Sequence, residues 1–108
     1  MDYYCYLLSS DNMTYIGITN NISKRIDQHN KLISNGAKST RRFNNWKYER
    51  IVGFFDSKGE AQKFEYIWKH YKSKTGKTYK TKAGIINKLI RLNTLLKSDQ
   101  WMHLVVIY

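Results

Sequence analysis

Thr14-Tyr15-Ile16-Gly17-Ile18-Thr19, followed directly by Asn20-Asn21-Ile22-Ser23-Lys24-Arg25-Ile26-Asp27-Gln28-His29-Asn30, is the stretch on which the fold turns. Its first half is β-branched and aromatic and is bounded by polar turn formers, the composition of a short strand. Its second half repeats at Ile22, Ile26, His29 and Ile33, the period of an amphipathic helix. A strand, a tight turn and a helix therefore follow one another. Arg25 and His29 are four apart, so a helix holds them on one face, close to the turn that displays Tyr15. A tyrosine, an arginine and a histidine converge. Asn20 or Asn21 is the N-cap of a helix over roughly residues 21–34, which Gly36 stops.

Upstream, residues 3–8 read as a strand, and Ser9-Ser10-Asp11-Asn12 turns the chain into the next one at about residues 13–18. Antiparallel pairing in this hairpin brings Tyr6 near Tyr15, in a register that the turn alone does not fix. Downstream, Lys38 to Lys47 is basic and patternless, a loop whose Lys38, Arg41 and Arg42 suit phosphate contact, and Trp46 and Tyr48 open a third strand over about 47–55. Ser57-Lys58-Gly59-Glu60 forms a capping box at the start of a second helix. That helix carries an apolar stripe of Ala61, Phe64, Trp68 and Tyr71, with Glu65 at the stripe's border. An ionised carboxylate there needs a cation, which can be Arg25, a lysine or a bound metal.

Residues 71–82 are rich in lysine and threonine. Gly76-Lys77-Thr78 matches only the end of a phosphate-cradle motif, because the glycine required five positions earlier is Tyr71. A third helix over roughly 82–97 repeats Ile85, Leu89, Leu92 and Leu96, with Ile86 and Ile90 widening the apolar face as a core stripe. The tail from Trp101 to Tyr108 is too apolar for a free end and reads as a strand or extended segment docked on the domain. His103 reads as surface, and His70 meets the negative end of a helix dipole.

The 108 residues are expected to form one domain. Lys and Arg outnumber Asp and Glu by 19 to 8, and the formal charge of +11 favours a polyanionic partner. No apolar run approaches membrane-spanning length, which argues against a membrane partner. The lone Cys5 sits in a strand pattern and reads as packing, and the start lacks a secretory layout, so an intracellular location (cytosol, nucleus or a viral replication site) is expected.

Taken together, Tyr4-Cys5-Tyr6, Tyr15-Ile16-Gly17, Arg25 with His29, and Glu65 inside a downstream helix resemble the GIY-YIG nuclease superfamily. Gly36-Ala37-Lys38-Ser39-Thr40-Arg41, Trp46, Phe64-Glu65-Tyr66-Ile67-Trp68 and Trp101 look most like its structure-specific branch, whose members cut branched DNA. One departure stands out: the family's first glycine falls at Tyr4 and the middle residue at Cys5, so only Tyr6 of the first motif matches. The resemblance implies a small α+β domain, a three-stranded antiparallel sheet flanked by helices, with an additional C-terminal helix and tail. It implies cleavage at flaps, forks or junctions with little sequence specificity. It also implies Tyr6 as the water-activating phenol, Tyr15 and His29 assisting, Arg25 at the phosphate, and Glu65 holding one divalent ion, Mg²⁺ or Mn²⁺. Lys24, Lys38, Arg41, Arg42 and Lys69 are the expected nucleic-acid contacts. The zinc-binding module by which eukaryotic members dock a scaffold partner has no counterpart among these residues. A homodimer hiding the basic face would keep such a nuclease quiet. Against this stands a non-catalytic nucleic-acid-binding module, which the same charge and aromatics would serve but which has no use for Glu65.

Overall fold

The computed structural model describes residues 2–10, 13–30, 45–70 and 84–108. Strands β1 (Tyr3–Ser10) and β2 (Met13–Thr19) form the hairpin, and both run further than the sequence pattern marks, so Ser9 and Ser10 pair with Thr14 and Met13 instead of turning. Helix α1 (Ile22–His29) follows, with Asn21 as its cap, the side-chain oxygen accepting from the Lys24 amide at 3.0 Å. It ends at Asn30, short of residue 34; residues 31–34, Gly36 and the basic residues Lys38, Arg41 and Arg42 lie outside the described residues. The Asn30 side chain instead grips the backbone of Trp46, accepting from its amide at 2.5 Å and donating to its carbonyl at 3.0 Å.

Strand β3 (Lys47–Phe55) pairs with β1 on the side away from β2. The sheet has four strands, not three, because β4 (Val105–Val106) adds to β3 opposite Val52 and Gly53, and the Ile107 amide donates to the Ile51 carbonyl at 2.8 Å. The order is β2-β1-β3-β4, which leaves β2 as an edge.

Alternation along the strands sends side chains to two cores. One face carries Cys5, Leu7, Ile16, Val52 and Phe55 and packs against α2 (Lys58–His70) and α3 (Ile85–Leu96). The other carries Tyr6, Leu8 and Ile51 with Trp46, and packs against Ile22 and Ile26 of α1. Of the capping box on α2, only half forms: the Ser57 hydroxyl accepts from the Glu60 amide at 3.2 Å, while the Glu60 carboxylate turns to Lys63 at 3.6 Å. Ala61, Phe64 and Trp68 are buried as the stripe requires; Tyr71 is outside the described residues.

Helix α3 keeps the expected stripe in part: Leu92 is buried and Leu89 and Leu96 pack against the core, joined by Leu95 and Arg91, but Ile86 is 73% and Ile90 43% exposed and do not widen that face. The Trp68 indole fixes this rotation by donating to the Lys88 carbonyl at 2.8 Å, which turns the 88–91–92–95 side towards α2.

Candidate active site

The hairpin register explains the Tyr-Ile-Gly run. Tyr6 faces Gly17 across the strands, and Tyr15, two residues from Gly17, projects from the same face while Ile16 points into the opposite core. A Cβ on Gly17 would lie 2.6 Å from the Tyr6 hydroxyl and 2.7 Å from the Tyr15 ring. Only glycine lets the two rings meet there, 6.3 Å between centres.

Helix α1 lays Arg25 and His29 over these rings. Arg25 Nε donates to the Tyr6 oxygen at 3.1 Å, and the Tyr6 hydroxyl lies 2.9 Å from His29 Nε2. Since a guanidinium can only donate, the Tyr6 oxygen accepts from Arg25 and its own proton points to the imidazole. Burial, followed by the charge of Arg25, pushes the His29 pKa down to about 4, so the ring is a neutral acceptor at pH 7. Burial pushes the Tyr6 phenol well above its usual value although Arg25 pulls the other way. His29 also stacks near Tyr15 at 4.9 Å and Trp46 at 6.3 Å.

Tyr48, which the sequence marks only as a strand residue, packs edge-on against Tyr6 at 5.5 Å and donates to the Ile22 carbonyl at 2.6 Å. Gln28 accepts from Arg25 Nη1 at 2.9 Å. Both follow from register and helical spacing once Tyr6 and Arg25 are placed, but neither carries a sequence signal of its own.

Glu65, on α2 at the β2 edge, is partly shielded and pairs with Lys69 Nζ at 3.4 Å, the lysine option among its expected partners. The same ammonium lies 5.8 Å from the Tyr15 ring centre, which ties the carboxylate to the tyrosine side of the site. Among the described residues, no group of three or more His, Cys, Asp and Glu side chains gathers to form a protein cage for a metal. A single half-shielded carboxylate fits a hard divalent ion that keeps its waters and shares a substrate phosphate. Lys24 is exposed and lines a cavity of about 300 Å³ with Arg25, Gln28, Asn21 and Lys58. Lys58 is a cation that the sequence gives no reason to single out. Cys5 is fully buried and its thiol is raised by burial, as packing requires. His70 and His103 are both exposed.

Residues 2–82 match the model of the GIY-YIG catalytic domain. The chain is 41% identical over 88 residues to the structure-specific endonuclease subunit SLX1 homolog of Giardia intestinalis, covering 77% of this chain and 22% of that protein. It is 40% identical over 77 residues to structure-specific endonuclease subunit slx1 of Schizosaccharomyces japonicus, covering 68% and 28%. It is 35% identical over 118 residues to the SLX1 subunit of Candida glabrata, covering 95% and 38%. The chain thus spans well under half the length of these relatives. With that match across its first three-quarters, and with Tyr6, Tyr15, Gly17 and Arg25 brought together, the chain belongs to the GIY-YIG family.

Proposed function

We propose that this chain is a metal-dependent endonuclease that hydrolyses phosphodiester bonds in DNA at branched structures, reading backbone shape and not base sequence. The carrying observation is the chain of hydrogen bonds Arg25–Tyr6–His29. An attacking water gives its proton to the Tyr6 oxygen as the phenolic proton moves to neutral His29. No free phenolate is then needed at neutral pH, which the raised Tyr6 pKa would oppose. The guanidinium of Arg25, which faces the cavity shared with Lys24 and Lys58, receives the phosphate oxygens and offsets their charge. Tyr15 orders the water and the His29 ring. Glu65 would hold the divalent ion, Mg²⁺ or Mn²⁺, with Lys69 as its counter-ion until then. Such an ion, when bound, lowers the pKa of water and neutralises charge on the phosphate. The names of the relatives support the choice of branched DNA.

The test uses labelled linear duplex, 5′-flap and four-way junction DNA with Mg²⁺, Mn²⁺ or chelator. Metal-dependent cutting of the branched substrates, lost in Glu65→Gln and Arg25→Ala while binding persists, is the expected result. Equal, salt-sensitive binding with no cutting by any of the three would leave a DNA-binding module instead. A homodimer covering the basic face would silence the domain, and sedimentation with and without DNA tests that.

A further inference from the structure

A second group of cations stands at the other end of the β2 edge from Arg25. A cavity of about 240 Å³ is lined by Thr14, Tyr15 and Ile16 of β2, Lys69 of α2, and Lys88 and Arg91 of α3. Arg91 is only 4% exposed. One of its terminal nitrogens donates to the Lys69 carbonyl at 3.3 Å, in the last turn of α2, but among the described residues its Nε has no partner at all. The Lys88 ammonium is half buried and donates to the Thr14 hydroxyl. The residues lining the cavity include no carboxylate. Glu65, which pairs with Lys69 at 3.4 Å, is not among the lining residues.

Gathering three positive side chains in a partly desolvated recess is costly unless an anion joins them. Lys88 shows that cost: burial, then Arg91, then Lys69, push its pKa down to about 8. Arg91 capping the end of α2 explains one of its nitrogens and leaves Nε unexplained. Trp68 holds the Lys88 backbone at 2.8 Å, so α3 presents both side chains from a fixed rotation.

We propose that Lys69, Lys88 and Arg91 form a phosphate-binding subsite that takes a second phosphodiester of the nucleic-acid backbone, towards the other end of β2 from the phosphate held at Arg25. This rests on the nucleic-acid reading above. The two cation-lined cavities, one beside Ile18 and Thr19 and one beside Thr14 and Tyr15, then lie towards opposite ends of the same edge strand, with Tyr15 lining the second. Helix α3, which the sequence marks only as a core stripe, becomes part of the substrate surface and fixes which bond of the strand sits beside Tyr6.

The test measures binding of flap DNA by wild type in chelator, where nothing is cut, beside Lys88→Gln and Arg91→Met, with the exposed Lys63→Gln as control. A series of substrates, each with one neutral methylphosphonate, locates individual phosphate contacts. Lys88→Gln is expected to weaken binding about tenfold and to lower the slope of log affinity against log salt by about one. One methylphosphonate position that costs wild type affinity should cost Lys88→Gln nothing, while Lys63→Gln keeps the wild-type profile. If Arg91→Met does not fold, as its melting curve would show, Lys88→Gln and the methylphosphonate series decide alone. Wild-type affinity, slope and profile in a folded Lys88→Gln would overturn the subsite and leave the nuclease reading standing. Failure of the wild type to bind any DNA would overturn both.

Discussion

His29 joins the proposed site to the stability of the fold. Its pKa is about 4 when folded against 6.5 when exposed, so between those values the unfolded chain binds the extra proton. The stabilisation is complete above pH 6.5 and is lost as pH falls towards 4, by up to about 3 kcal/mol at 1.36 kcal/mol per unit. Denaturant titrations from pH 7 to 4 should show this slope in wild type and a flatter one in His29→Gln; parallel slopes would refute it. Gly17 sets the distance between the two phenols. Gly17→Ala must push Tyr6 or Tyr15 aside, and cleavage should drop about 10²-fold at a much smaller cost in melting temperature. That Tyr15, Arg25 and His29 lie together was legible in the sequence from the four-residue spacing on one helix face beside the Tyr15 turn, and the family resemblance singled them out with Glu65. The link between Tyr6 and His29 was not, since it depends on the register of the hairpin and on how α1 crosses the sheet, neither of which a local pattern encodes.

Secondary elements follow the sequence wherever one period dominates. Strands β1 to β3 and helix α2 show clear patterns, and the expected Ala61, Phe64 and Trp68 are buried. Helix α3 has apolar residues around most of its circumference, so periodicity found the stripe of Leu89, Leu92 and Leu96 but not the side to which it widens. The choice was made by contacts from another element, the Trp68 indole on the Lys88 carbonyl and Arg91 on the end of α2. The assignment has a direct check by thermal or chemical unfolding: Leu92→Ala should cost about 2–5 kcal/mol and Ile86→Ala within about 0.5 kcal/mol. Equal costs would return Ile86 to the buried face, where the sequence pattern puts it. The tail reads from sequence as a strand or extended segment, but its place as a fourth strand of the sheet was hidden for a similar reason. Two valines are too short a run to announce a strand, and Val105 and Val106 become one only because β3 offers an open edge.

At the scale of the molecule, +11 of charge is concentrated by the fold as well as accumulated by composition. Lys24, Arg25 and Lys58 line one cavity on the β2 side, and Lys69, Lys88 and Arg91 line the other. If these six cations contact phosphates, affinity for branched DNA should fall about 10³-fold between 50 and 200 mM salt. A filter-binding series measures it, and a shallow dependence would move the substrate elsewhere on the surface. The sequence made the charge plain and hid its arrangement, because a lysine on a helix looks the same whether it faces solvent or a neighbouring strand. The clasp between Asn30 and Trp46 has an evolutionary meaning. It joins positions 16 apart in sequence and fixes both ends of the intervening stretch beside His29. Closing a longer loop costs little, about 0.6 kcal/mol for each doubling of length. Descendants of this chain are therefore free to rewrite the passage between those two residues while inheriting the contact between Tyr6 and His29 undisturbed.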